Sequence, residues 1–110
     1  MNKERLKHLM EFLETDPNDP FTIYAIATEY ANELPEKAAE YYERLLTDFP
    51  DYTATYYHAA ALFAELGEIN KAKNIYEKGL KVCEKNQENK ALKELKNAYQ
   101  NFLFEFDDEL

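Results

Sequence analysis

Two histidines, one cysteine, 22 carboxylates and no serine are what this chain offers for covalent or acid–base chemistry. A serine nucleophile is excluded outright. Cys83 is the one soft nucleophile, but a reactive thiol needs a base or a positive environment to become a thiolate. No histidine neighbours it in sequence or on its helical face. It continues an apolar seam after Tyr76 and Leu80, which is the place of a small core residue. His8 and His58 stand far apart, and no His/Cys/Asp spacing matches a closed metal site. With two glycines in the whole chain there is no glycine-rich phosphate loop. The carboxylates are spread along helical surfaces, where they act as solubilising charge. No catalytic residue, no metal site and no cofactor are expected, and the chain reads as a non-enzyme.

What remains is recognition by surface shape. With 45% hydrophobic and 15% aromatic residues, 110 residues can bury a core, and the length suits one domain. No apolar run approaches the roughly 18 residues of a membrane span. Residues 1–16 are charged and amphipathic, unlike a secretory signal, so a cytoplasmic location is expected. A lone cysteine excludes an internal disulfide. The net charge of −9 is unevenly placed: residues 1–68 hold 14 Asp+Glu against 5 Lys+Arg, residues 71–96 hold 8 Lys against 4 Glu, and Glu105, Asp107, Asp108 and Glu109 make the end acidic again. Net acidity disfavours nucleic acid, whose phosphates need a basic face. The local lysine excess suits a solvated helix surface, and the opposed charges can steer a complementary partner or a second copy.

The elements that must position any binding surface are legible as helical stripes. Residues 56–80 organise the rest. Tyr56, Ala59, Ala60, Phe63 and Leu66 fall on one helical face, Gly67 stops that helix, and Ile69, Ala72, Tyr76, Gly79, Leu80 and Cys83 trace a second stripe. The small residues let the two axes approach closely, so the stretch predicts a tight antiparallel helix pair. Upstream, Ile23, Ile26, Ala27 and Tyr30 pair with Ala38, Tyr42, Leu45 and Leu46, closed by Pro50. Offsets of 33 residues from Ile23 to Tyr56 and Ala27 to Ala60 become 34 from Ala38 to Ala72 and Tyr42 to Tyr76. Leu6, Leu9, Met10 and Leu13 predict an opening amphipathic helix ended by Asp16-Pro17. Asp19 is the expected N-cap of a helix over residues 20–32, Pro35 begins the next, and Thr53 is expected to cap the one after. Residues 86–89 turn the chain, and Leu92, Leu95, Tyr99, Phe102 and Phe106 make a last stripe. Six helices and no strand are expected.

The order aromatic, small, small, aromatic, Gly, Ala, aromatic carried by Tyr56, Ala59, Ala60, Phe63, Gly67, Ala72 and Tyr76 resembles the tetratricopeptide repeat, a helix–turn–helix unit of about 34 residues. Ala59 stands where Leu is usual, and Glu84 replaces the closing Pro. The resemblance implies an all-α, short α-solenoid of antiparallel helix pairs: an N-terminal half-repeat over residues 1–16, a first repeat over 20–50, a second over 53–85, a capping helix over 88–106 and an acidic tail over 107–110.

The same resemblance implies that the first helix of each pair lines a concave face, and that such a protein is a non-catalytic scaffold binding a protein or peptide segment. Subtracting core positions leaves Phe21, Tyr24, Ala25 and Thr28 on one first helix and Ala54, Tyr57, His58, Ala61 and Glu65 on the next. Tyr24 and Tyr57 hold equivalent places and are expected to form an aromatic ladder. Lys90, Lys93 and Asn97 extend that surface if the last helix packs like another first helix. Some family members grip a C-terminal carboxylate with Lys, Asn and Arg. Here Tyr24, Thr28 and His58 occupy the corresponding places, which argues against that ligand. The alternative reading is structural: Tyr99, Leu103, Phe104 and Phe106 leave apolar surface on more than one face of the last helix, the mark of a homodimer interface.

Overall fold

The computed structural model describes all residues, Met1–Leu110. The chain is all-α: α1 (Lys3–Thr15), α2 (Pro20–Tyr30), α3 (Pro35–Asp48), α4 (Ala54–Glu65), α5 (Ile69–Lys85) and α6 (Asn89–Glu105), followed by a single 3₁₀ turn at Asp107–Glu109. The six helices pack in adjacent pairs, as the stripes predict. The chain comprises two compact units, Met1–Tyr52 and Thr53–Leu110, with the boundary between the repeats. Each repeat's two stripes meet one another first, so the densest packing lies within a pair.

In the first unit α2 packs on α3 and also on α1. Asp19 caps α2 as expected, its carboxylate accepting from Phe21 N at 3.2 Å and from the Thr22 hydroxyl at 2.7 Å. Ile23, Ile26, Ala27 and Tyr30 are buried with Ala38, Tyr42 and Leu45, and Tyr30 stacks on Tyr41 at 5.9 Å. Leu46 is only half-buried. α1 docks without a fully buried residue of its own. Its Leu6, Leu9, Met10 and Leu13 are half-buried, and at its start Asn2 N donates to Glu29 Oε1 at 2.9 Å while Arg5 Nε lies 3.6 Å from Glu29 Oε2. The Arg44 guanidinium donates to the Pro17 carbonyl and ties α3 to the α1–α2 turn. α2 ends at Tyr30, two residues before the expected Asn32, and a turn fills the gap to Pro35.

In the second unit α5 is the middle helix, packed on α4 and α6, and α6 also touches α4. Tyr56, Ala59, Ala60 and Phe63 from α4 and Ala72, Tyr76, Gly79 and Cys83 from α5 are buried. Lys71 Nζ sits 4.4 Å above the Phe63 ring. Ile69, Leu66 and Leu80 are half-buried, whereas Leu62 and Ile75, outside the predicted stripes, are buried. A helix with more than one neighbour buries a wider arc than one stripe describes. Thr53 does not cap α4. Its backbone is already helical (φ −68°, ψ −24°), and its hydroxyl instead donates to Glu88 Oε1 at 3.0 Å, pinning the start of α4 to the α5–α6 turn.

The α4–α5 and α5–α6 turns use the same device with different residues. After α4, Gly67 takes φ +82° and Glu68 N donates back to the Phe63 carbonyl at 2.9 Å; after α5, Gln87 takes φ +57° and Glu88 N donates to the Cys83 carbonyl at 3.0 Å. Both are Schellman-type ends, whose left-handed residue is normally glycine because a Cβ there crowds the carbonyl. Gln87→Gly is therefore expected to raise stability by roughly 1 kcal/mol. Urea denaturation followed by circular dichroism checks it, and an unchanged or lower midpoint contradicts the account.

Candidate functional site

α4 and α6 come together at only part of their length, and short side chains where they part leave a groove of about 550 Å³. Ala61 and Ala64 line it from α4 and Ala98 from α6, so no long apolar chain fills the space. Tyr76 of α5 and Phe102 form its floor, with Phe106 at one end. The rims carry Tyr57 and Glu65 on one side, Asn101 and Glu105 on the other.

The floor is a cluster of packed aromatic rings. Tyr76 lies 5.1 Å from Phe102 and 5.5 Å from Tyr99, and Phe102 lies 5.1 Å from Phe106, centroid to centroid. Such tilted and offset pairs add to the area they bury. The Tyr99 hydroxyl donates to Glu77 Oε2 at 2.7 Å, locking α6 on α5. Burial and that carboxylate push the phenol up to about 12. Burial also raises the Tyr76 phenol, with smaller contributions from Tyr57 and Glu105. Tyr57 is 47% exposed, an aromatic face presented to solvent beside this floor.

The expected site residues divide. Tyr57 and Ala61 line the groove, as does Glu65. His58 does not: one position on, it points about 100° around α4. It is exposed with its ring edge-on to Tyr57 at 5.3 Å, and partial burial lowers its pKa. In the first unit Phe21 is 59% exposed, while Tyr24 is half-buried against Tyr52 at 5.8 Å. Thr28 is exposed, but its hydroxyl donates to the Tyr24 carbonyl at 2.9 Å. Ala25 is buried rather than open. It shares a stripe with Thr22 and Glu29, and Glu29 is the residue that receives α1.

Lys90, Lys93 and Asn97 do not extend the groove. Lys93 and Asn97 line a different hollow with Leu92 and Lys96. At 3.6 residues per turn Lys93 is turned about 120–180° from Ala98, Phe102 and Glu105, and Asn97 about 80–140°. Lys90 sits beside Glu94 at the start of α6, and eleven residues at 1.5 Å each put it about 16 Å from Asn101. The residues that α6 does contribute, Ala98, Asn101 and Glu105, recur at i, i+3 and i+7 beside the packing stripe. That spacing was the available signal, and using it required knowing which side of α6 meets α5.

The four residues expected at a dimer contact are likewise unequal. Tyr99 is committed to α5, Phe106 is half-buried against Phe102, Leu103 is half-buried, and Phe104 is 89% exposed. Cys83 is 1% exposed, and burial, aided by Glu88, raises its thiol pKa. No three His, Cys, Asp or Glu side chains cluster so as to hold a metal ion. No helix is long and apolar enough to cross a membrane.

No family model and no curated protein matches the chain. Among solved structures, the solution NMR structure of a tetratricopeptide repeat domain protein from Salinibacter ruber is 35% identical and superposes with a TM-score of 0.73, over 79% of this chain and 89% of that one. A crystal structure of a tetratricopeptide repeat domain protein from the same organism gives 34% identity and a TM-score of 0.72, over 77% of this chain and 96% of that one. Likeness at this level of identity, across nearly the whole length of those domains, means that the chain belongs to the tetratricopeptide repeat family.

Proposed function

We propose that this chain is a non-catalytic binding module that takes a peptide or protein segment, with the α4–α6 groove as the contact in the second unit. Tetratricopeptide repeat domains are generally protein-interaction modules and typically non-catalytic. The observation that carries the reading is Tyr57: a large aromatic 47% exposed beside a packed aromatic floor, in a groove lined by alanines. A tyrosine supplies a flat apolar body and a polar tip at small entropic cost, which suits a binding anchor. Phe21 and Tyr24 are the corresponding candidates on α2.

Tyr57→Ala is expected to weaken binding of a short peptide, selected on the intact chain from a displayed random library, by about tenfold or more. Because Tyr57 is exposed, the melting temperature is expected to move by only a few degrees. Fluorescence anisotropy and thermal denaturation together check this. Equal loss of binding and stability would make Tyr57 a structural residue instead.

A further inference from the structure

We propose that the α4–α6 groove selects a cationic segment, in which one aliphatic or aromatic side chain sits on the Tyr76–Phe102 floor and neighbouring Lys or Arg residues reach Glu65 and Glu105. The inference rests on the reading that this groove takes a peptide. It goes further by assigning the chemistry of the occupant.

The lining combines an apolar floor with two carboxylates on facing helices and contains no cation at all. Both carboxylates are exposed, and neither has a salt-bridge partner within the chain. An acidic segment would bring like charge against both rims. A segment with cations beside its apolar anchor meets opposite charge on either side. Lys and Arg suit the geometry further, because their methylene stems lie along apolar surface while the charged head reaches outward. Asn101 adds an amide able to hydrogen-bond a peptide backbone. The net charge of −9 favours the encounter at a distance. An anionic terminus finds no cation in the groove lining.

The test is selection of short displayed random peptides on the intact chain, followed by anisotropy with a fluorescein-labelled member of the enriched set. Enriched peptides are expected to place Lys or Arg beside a large apolar residue. The labelled peptide is expected to bind about tenfold more weakly to Glu65→Gln/Glu105→Gln, and with unchanged affinity to Asp107→Asn/Asp108→Asn. The second pair removes the same two charges outside the groove, where Asp107 and Asp108 lie with Phe104. Neutral or acidic enriched peptides would overturn cation selection, as would equal weakening by the two double variants, which would reduce the effect to net charge. If such peptides nonetheless lose binding in Tyr57→Ala, the groove stands as a peptide site and only the charge preference falls. Binding that ignores Tyr57→Ala removes both.

Discussion

Tyr76→Ala is expected to cost about 3–5 kcal/mol, the range for removing a large ring from a packed core. Tyr76 is 5% exposed and holds both Tyr99 and Phe102, so its ring is where α6 meets α5. At about 0.05–0.15 kcal/mol per residue, a unit of this size holds only a few kcal/mol in reserve, so the loss is comparable to the whole. α6 is expected to detach first, because its other attachment, to α4, is the lesser one. Urea denaturation followed by circular dichroism measures the loss, and hydrogen exchange across α6 locates it. Tyr76→Phe keeps the ring and is expected to stay near the parent stability. A loss below about 1 kcal/mol for the alanine variant would show that the aromatic cluster does not hold the unit together.

Gly79→Ala is the second large effect, and it runs against helix propensity. In the middle of an exposed helix this change would add roughly 1 kcal/mol of stability. At this position a Cβ would stand 2.6 Å from Tyr56 Cβ, 2.8 Å from Tyr56 Cγ and 2.7 Å from Leu95 Cδ2. Tyr56 Cβ is one bond from the backbone of a fully buried residue, so α4 itself would have to move. Overpacking typically costs about 1–3 kcal/mol, and contacts from two helices at once put this site at the upper end, for a net loss of about 2 kcal/mol. Chemical denaturation checks it, and a stabilised Gly79→Ala would refute the close approach of the three helices. Gly67 provides the contrast. A Cβ there meets nothing within 4 Å, so its glycine serves the positive φ and not the space.

The two glycines show how far a sequence can be read. Gly67 was legible because the demand on it is local: a helix ends, the next begins two residues later, and the left-handed turn between them is a property of the backbone. The same is true of Asp19, whose carboxylate bonds within its own first turn, and of the stripes from Tyr56 to Tyr76, which follow from helical periodicity and recur 33–34 residues apart. Gly79 could be placed on an apolar face, but that it must lack a side chain depends on Tyr56 and Leu95, 23 residues before it and 16 after.

Thr53 failed as an expected cap because its hydroxyl had a partner 35 residues away, in Glu88. Ala25 failed as an open residue because α1 covers the stripe on which it lies. The candidate groove followed the same rule. Tyr57, Ala61 and Glu65 could be named from the repeat register of one helix, whereas Ala98, Asn101 and Glu105 required the rotation of α6, set by how Tyr99 and Phe102 seat on α5. By itself, then, the sequence determined the helices, their ends, the repeat and most of the core, because backbone geometry and periodic burial act over a few residues. Only the tertiary structure decided which faces of neighbouring helices meet and what they leave open, because each helix's rotation is fixed by contacts its own sequence does not contain.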